Sequence, residues 1–440
     1  MNLQNGKRTA YEHIARYSFI AFLFFTFFGT SMPFKESVTD VDNIGTSNII
    51  NQLVFSILFL ASSISLIPQR KRLVLLLKRE KFLSLFLLWC LLSVFWSDFS
   101  FVSFKRLFQI FVAVSVSFAV LLHTDSLDEV LHYFKLILAP YVIISILSVL
   151  LIPGAVDAKF DTWRGLTPTK NNLGQAGLVC VILWFNLFRQ EQVYRKKVFS
   201  FLMVLLSAAL LLGSQSGTSL ITFTALISLT TMILILNNVF QSLTVSRFLA
   251  FLIIFSAVAM FGIAIHFAPD LLLTLPDLIG KDITFTGRVD LWIDIFEEAQ
   301  NHFFTGCGYA GFWVVENVDL LILYEKYVWL PNQSHSGYID ILNETGIIGL
   351  TLLFLMIIFY YKNLFNLKVQ HFWKWFILAT LMINLQETTF FRPRHLIGTL
   401  FIFSYLALYI QLIPKRNKLA PNNSEPVVVS NELKTIPEKI

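Results

Sequence analysis

Long apolar runs separated by short polar connections dominate the chain from Tyr17 onwards. They fall near residues 17–33, 48–67, 82–96, 107–122, 134–152, 172–187, 198–213, 218–236, 248–267, 338–360, 372–390 and 395–413. A helix of roughly 17–25 apolar residues crosses the hydrocarbon core of a bilayer, and it satisfies its own backbone polar groups while doing so. The pattern therefore predicts an all-α polytopic membrane protein of about twelve transmembrane helices. One connection stands apart from the rest. Residues 268–337, between the ninth and tenth runs, contain Trp, Tyr and Phe at helical spacing, so a folded cap is expected there. The predicted organisation is nine membrane helices over 1–267, this large loop over 268–337, three further helices over 338–413, and a disordered polar tail over 414–440.

Composition agrees with the pattern and charge orients it. Of 440 residues, 56% are hydrophobic and only 14% are charged, too few for a water-facing surface of ordinary composition. Lys7, Arg8 and Arg16, the Gln69-Arg-Lys-Arg and Lys78-Arg-Glu-Lys81 segments, Arg195-Lys-Lys197 and the start of the tail fall on alternate connections. The positive-inside rule assigns these to the cytoplasm, together with both termini, and places the 268–337 loop outside. The first apolar run lacks a small-residue cleavage site and reads as a span. Cys90, Cys180 and Cys307 give no disulfide framework.

Candidate chemistry gathers on the outer connections. Thr286-Gly-Arg-Val-Asp-Leu-Trp-Ile-Asp-Ile-Phe-Glu-Glu-Ala-Gln300 is expected to be an amphipathic helix capped by Thr286, with Val289, Trp292, Phe296 and Ala299 on its apolar face. Arg288 in the first turn opposes the helix dipole but suits an anion held by free backbone N–H groups. Gly306-Cys-Gly-Tyr-Ala-Gly-Phe-Trp313 reads as a tight aromatic turn, with Trp313 as a candidate substrate contact. His335 lies where the loop re-enters the membrane, and an imidazole is suited to taking a proton from a hydroxyl. Tyr338, Asp340 and Glu344 follow on one helix, with Glu344 about 13 Å along it from His335. Intramembrane carboxylates normally face a polar cavity. Arg164, Lys170, Arg392 and Arg394 are basic residues on the side where topology disfavours them, which points to an anionic partner such as a lipid phosphate or diphosphate. Asp40 and Asp42 form a weak candidate for a divalent metal, and no zinc-protease, P-loop or Cys/His motif occurs.

On these residues the chain resembles the O-antigen ligase/polymerase family of bacterial cell-surface polysaccharide enzymes, most of all its ExoQ-type exopolysaccharide polymerases. The matching pieces are Phe95-Trp-Ser-Asp98 with Lys105-Arg106, Trp163-Arg-Gly with Lys170-Asn-Asn-Leu-Gly174, Ser214-Gln-Ser-Gly-Thr-Ser219, Thr286-Gly-Arg-Val-Asp-Leu-Trp292, Gly308-Tyr-Ala-Gly-Phe-Trp313 and Ser334-His-Ser-Gly-Tyr338 running on to Glu344-Thr-Gly-Ile-Ile-Gly349. The resemblance implies a metal-independent, inverting glycosyltransferase with a fold similar to the GT-C class, needing no cofactor. Its implied partners are a polyprenyl-diphosphate-linked glycan donor, a lipid-linked acceptor, membrane lipid, and export and chain-length machinery, with no nucleic acid. The implied location is the bacterial inner membrane, with the active face outside. His335 matches the family's loop histidine, the implied base, and Glu344 is the second catalytic candidate. Arg288 and Arg164 match the arginines implied to hold the diphosphate. The family often carries a basic residue where this chain has Gly217. A ligase acting on lipid A core or protein shares the donor chemistry. A polysaccharide-lipid flippase is the alternative from another class.

Overall fold

The structure, a computed structural model, describes residues 9–28, 49–124, 127–157, 161–240, 288–327, 330–366 and 371–411. The ninth predicted run, Asp40 and Asp42, Thr286 and the tail lie outside the described residues. Fourteen helices are seen among those described. They are α1 (Ala10–Phe28), α2 (Ile49–Leu66), α3 (Arg70–Arg79), α4 (Phe82–Ser93), α5 (Ser100–His123), α6 (Leu127–Leu151), α7 (Lys170–Gln190), α8 (Tyr194–Gly213), α9 (Gly217–Phe240), α10 (Arg288–Asn301), α11 (Val318–Lys326), α12 (Gly337–Asn366), α13 (His371–Ile383) and α14 (Leu396–Ile410). A two-residue ribbon, β1 (Val156–Asp157) with β2 (Thr162–Trp163), lies between α6 and α7. Seven candidate spans among the described residues are long and apolar enough to cross a membrane, and α4, α13 and α14 are shorter apolar helices. The protein is an all-α polytopic membrane protein.

Small residues and caps set the helix positions near the site. Thr169 caps α7, its side chain accepting from Asn172 N–H at 3.3 Å. A Cβ on Gly174 would stand 2.5 Å from Ser216 Cβ and 2.8 Å from Ser214 Oγ, so α7 meets the Ser214–Ser219 turn only because residue 174 has no side chain. Arg70–Arg79 forms a short basic helix, and Glu80 then starts α4 by accepting from Leu83 N–H and Ser84 N–H.

Two of the departures from the sequence pattern shape the site. α12 is interrupted at Gly346 (φ 67°, ψ −174°). α13 ends at Ile383, whereas the apolar run was expected to continue to residue 390. Asn384 stops it. Its Oδ1 accepts from Thr389 N–H and Phe390 N–H, both at 3.0 Å, and its Nδ2 donates to Thr389 Oγ1 at 2.6 Å. These bonds fold the next residues into a turn in place of a helix. Residues 384–395 are therefore a connection that stays polar inside an apolar run.

Candidate functional site

The cap is built from the residues upward. α10 and α11 enclose a small core of Leu291, Ile295, Phe312, Trp313, Leu320, Leu323 and Tyr327, separate from the main membrane core. The buried stripe of α10 is Leu291, Ile295 and Ala299. The expected face needs correcting on this point, because Val289 and Phe296 are exposed and of the expected set only Ala299 is buried. Trp313 also needs correcting as a substrate contact. It is 1% exposed and donates through Nε1 to Asp340 Oδ1 at 3.1 Å, so no sugar ring can stack on it.

The cap is locked to the membrane helices by backbone pairing at the break in α12. Cys307 N–H and Gly308 N–H donate to the carbonyls of Asn343 and Glu344, each at 3.0 Å, and Ile347 N–H donates to Phe303 O at 2.8 Å. The chains approach so closely that a Cβ on Gly346 would lie 2.2 Å from Phe304 O, and one on Gly306 2.3 Å from the Glu344 carbonyl carbon. Both glycines also have positive φ. From α4 and the turn beyond it, Trp89 Nε1 donates to Thr345 O at 2.8 Å and Trp96 Nε1 to Gly306 O at 3.1 Å. Arg106 of α5 donates to Ala310 O and Trp313 O.

At the centre of the polar cluster is Glu387, in the connection after α13. Its Oε1 accepts from Asn171 Nδ2 at 2.8 Å and from Arg288 Nη2 at 3.2 Å. Its Oε2 accepts from Gln333 Nε2 at 3.2 Å and lies 3.3 Å from His335 Nδ1. One carboxylate thus joins the start of α7, the start of α10, the chain before α12 and the connection after α13. Glu387 is 4% exposed. Burial pushes its carboxyl up, but the His335 hydrogen bond and the charges of His335, Arg288 and His395 outweigh that and leave it below its ordinary range. Arg288 additionally donates through Nη1 to Gln386 O at 2.5 Å.

His335 itself is held at φ 56°, a left-handed backbone uncommon outside glycine. Ser334 and Ser336 brace it on either side. Ser334 Oγ donates to Ser336 O and accepts from Ser336 N–H, while Gly337 N–H donates to Asn384 O at 2.9 Å. Trp292 Nε1 donates to Ser334 O at 2.8 Å. Asp340, 1% exposed, accepts from Ser334 N–H, Trp313 Nε1 and Thr388 Oγ1, with Arg392 Nη1 at 3.8 Å. With that many partners, it positions the histidine turn.

The remaining sequence candidates are distributed as follows. Glu344 is buried and accepts from Ala310 N–H at 3.0 Å, so it ties the aromatic turn to α12. The carboxylate on the histidine is Glu387, not Glu344. Tyr338 donates to Leu381 O and stacks on Phe354, joining α12 to α13. Arg392 Nη2 donates to Asn332 O at 2.7 Å, which ties the last connection to the segment before His335. Arg394 is exposed in the same connection. Lys170 opens α7, one residue before Asn171. Arg164 is buried and donates through Nε to Gly154 O at 2.7 Å, and it follows the ribbon whose Trp163 covers Gly213. A Cβ on Gly217 would meet nothing within 4 Å, so a basic side chain there has room. Sequence reasoning missed Glu387, Asn171 and Gln333. Glu387 was hidden because residues 372–390 looked like a single span.

Residues 201–354 match the O-Antigen ligase family. The O-antigen ligase resemblance holds over this stretch. Over 162 residues the chain is also 32% identical to the exopolysaccharide production protein ExoQ of Rhizobium meliloti (strain 1021), with 35% of each chain covered. The match thus spans about a third of the length of that curated relative. The family stretch contains Arg288, Trp313, His335, Asp340 and Glu344, while Glu387, Arg392, Arg164 and Lys170 lie outside it.

Proposed function

We propose that this protein transfers a polyprenyl-diphosphate-linked glycan at the outer face of a bacterial inner membrane, in exopolysaccharide or O-antigen assembly. The observation that carries the reading is the joint hold of Glu387 on His335 and Arg288. It brings a base and a fixed cation to one carboxylate, as a transfer with an anionic leaving group requires.

A carboxylate at Nδ1 favours the tautomer with the proton there, which puts the basic lone pair on Nε2. In the proposed reaction Nε2 takes the proton of the acceptor hydroxyl, and that oxygen forms the new bond to the anomeric carbon. The bond from that carbon to the diphosphate oxygen breaks with inversion, and its electron pair leaves on the diphosphate. Arg288, with Arg392, Arg394 and Lys170 as further cations, stabilises the charge that accumulates. The chemistry needs no metal. Arg164 braces the ribbon beside α7 through its bond to Gly154 O.

Orientation supports the same reading. The cluster sits where α5, α7 and α12 begin and α13 ends, whereas the basic helix α3 lies by the start of α4 and the end of α5, with Arg72 donating to Leu122 O. The two features occupy opposite ends of the helices, so the positive-inside rule puts the cluster outside and both termini in the cytoplasm.

The kind of acceptor separates two readings. A polymerase extends the next lipid-linked repeat, in line with the exopolysaccharide relative, while a ligase moves finished glycan onto lipid A core or protein. Purified protein supplied with one lipid-linked donor and either acceptor tests this. Transfer to the lipid-linked repeat is expected, and transfer only to lipid A core would establish the ligase. If the protein moved lipid-linked glycan across vesicles without forming a glycosidic bond, it would be a flippase.

A further inference from the structure

Away from the cluster, α4 and α5 leave a cavity of about 340 Å³ between them. Leu83, Leu87 and Leu91 form one stripe of α4, and Phe111, Val114 and Phe118 form the facing stripe of α5. At the rim, Leu77 and Leu88 are exposed, so the mouth opens toward the hydrocarbon of the bilayer. Apolar walls offer water no partners, and an unfilled groove forfeits dispersion contact along its length. A hydrocarbon chain is the kind of ligand such walls accommodate.

The foot of the groove says which lipid carries it. Leu77 and Glu80 end the groove, and Lys78 and Lys81 beside them are exposed. Glu80 does not offset these cations at the surface. It is fully buried and accepts from Leu83 N–H, Ser84 N–H, Ser84 Oγ and Tyr405 OH. A chain filling the groove from this end brings its headgroup to the two lysines, and clustered lysines beside membrane helices attract anionic headgroups. A prenyl chain whose diphosphate lies on Arg288 would enter from the opposite end.

We propose that this groove binds one acyl chain of an anionic phospholipid, with its phosphate at Lys78 and Lys81. The site is independent of the transfer reading. The test is native mass spectrometry of the full chain released from vesicles of phosphatidylglycerol and phosphatidylcholine in equal parts. The wild type should retain phosphatidylglycerol about tenfold over phosphatidylcholine. The pair Lys78→Gln/Lys81→Gln, which changes two exposed side chains, should abolish that preference. Leu87→Trp, which fills the groove, should abolish retention of either lipid. Equal retention of the two lipids by the wild type would overturn the proposal, as would an unchanged preference in the lysine pair. Displacement of phosphatidylglycerol by a polyprenyl phosphate at equal concentration would overturn it as well.

Discussion

Glu387 joins four parts of the chain through its own two oxygens and one nitrogen each of Asn171, Arg288, Gln333 and His335. Removing its charge should therefore act on two functions together. Glu387→Gln keeps the shape but weakens both the hold on Arg288 and the stabilisation of a protonated His335. Glycan transfer is expected to fall about tenfold to a hundredfold. Arg288→Ala should cost more, about a hundredfold to a thousandfold, with partial recovery in Arg288→Lys because the charge returns without the planar fork. Steady-state transfer rates check both. His395 adds a pH effect on stability. Burial pulls its imidazole down to about 4 from the ordinary 6.5, more than the Glu387 charge pulls it back up. Below 6.5 the unfolded chain takes a proton that the folded protein refuses until about 4, so stability should fall as pH drops across that window and stay level beneath it. Glu387 acts in the same sense further down: its carboxyl lies below its ordinary value, so its contribution is present above that value and is lost as pH falls through the depressed one. Thermal unfolding of detergent-solubilised wild type and His395→Gln between pH 7 and about 4 should show a flatter dependence in the variant.

At the scale of elements, the decisive features are places where helices stop. α12 breaks at Gly346 so that the cap can pair its backbone with Asn343 and Glu344, and α13 ends at Asn384 so that Glu387 can turn inward. Gly346→Ala forces a side chain into Phe304 O at a positive φ and is expected to destabilise by about 2 kcal/mol or more, lowering the melting midpoint in detergent. Apolar runs of membrane length made most spans readable, because only helices of that composition satisfy their backbone in lipid. Arg288 and His335 were readable because a cation and an imidazole have little other reason to occupy those turns. The rest was hidden by local ambiguity. A single carboxylate in residues 372–390 does not interrupt an apolar run, and nothing in spacing reveals that Asn384 collects the backbone that a helix would use. On α10, Trp292 and Phe296 carry more hydrophobic weight than Ile295 and Ala299, yet the smaller residues face the cap core. The aromatic turn Gly306–Trp313 offered Trp313 as a substrate contact, but the packing uses it to hold Asp340.

For the whole molecule, the proposed arrangement sets the polar cluster and the basic helix on opposite faces of the membrane. In a background lacking the three native cysteines, Glu316→Cys in the cap should react with a membrane-impermeant thiol reagent in intact cells. Lys81→Cys should react only after permeabilisation, and the reverse pattern would invert the assigned topology. The cap, the first turns of α7 and α12 and the connection after α13 then form a single outer site whose parts come from four distant stretches of sequence. Its central claim is that Glu387 orients His335 while holding Arg288. The pH–rate profile of Glu387→Gln, measured with purified protein, a lipid-linked donor and a lipid-linked acceptor, tests this most directly. A plateau about tenfold to a hundredfold below wild type is expected, because the imidazole and Arg288 have lost the carboxylate that positions them, with no transfer by His335→Ala. A wild-type plateau in Glu387→Gln would contradict it.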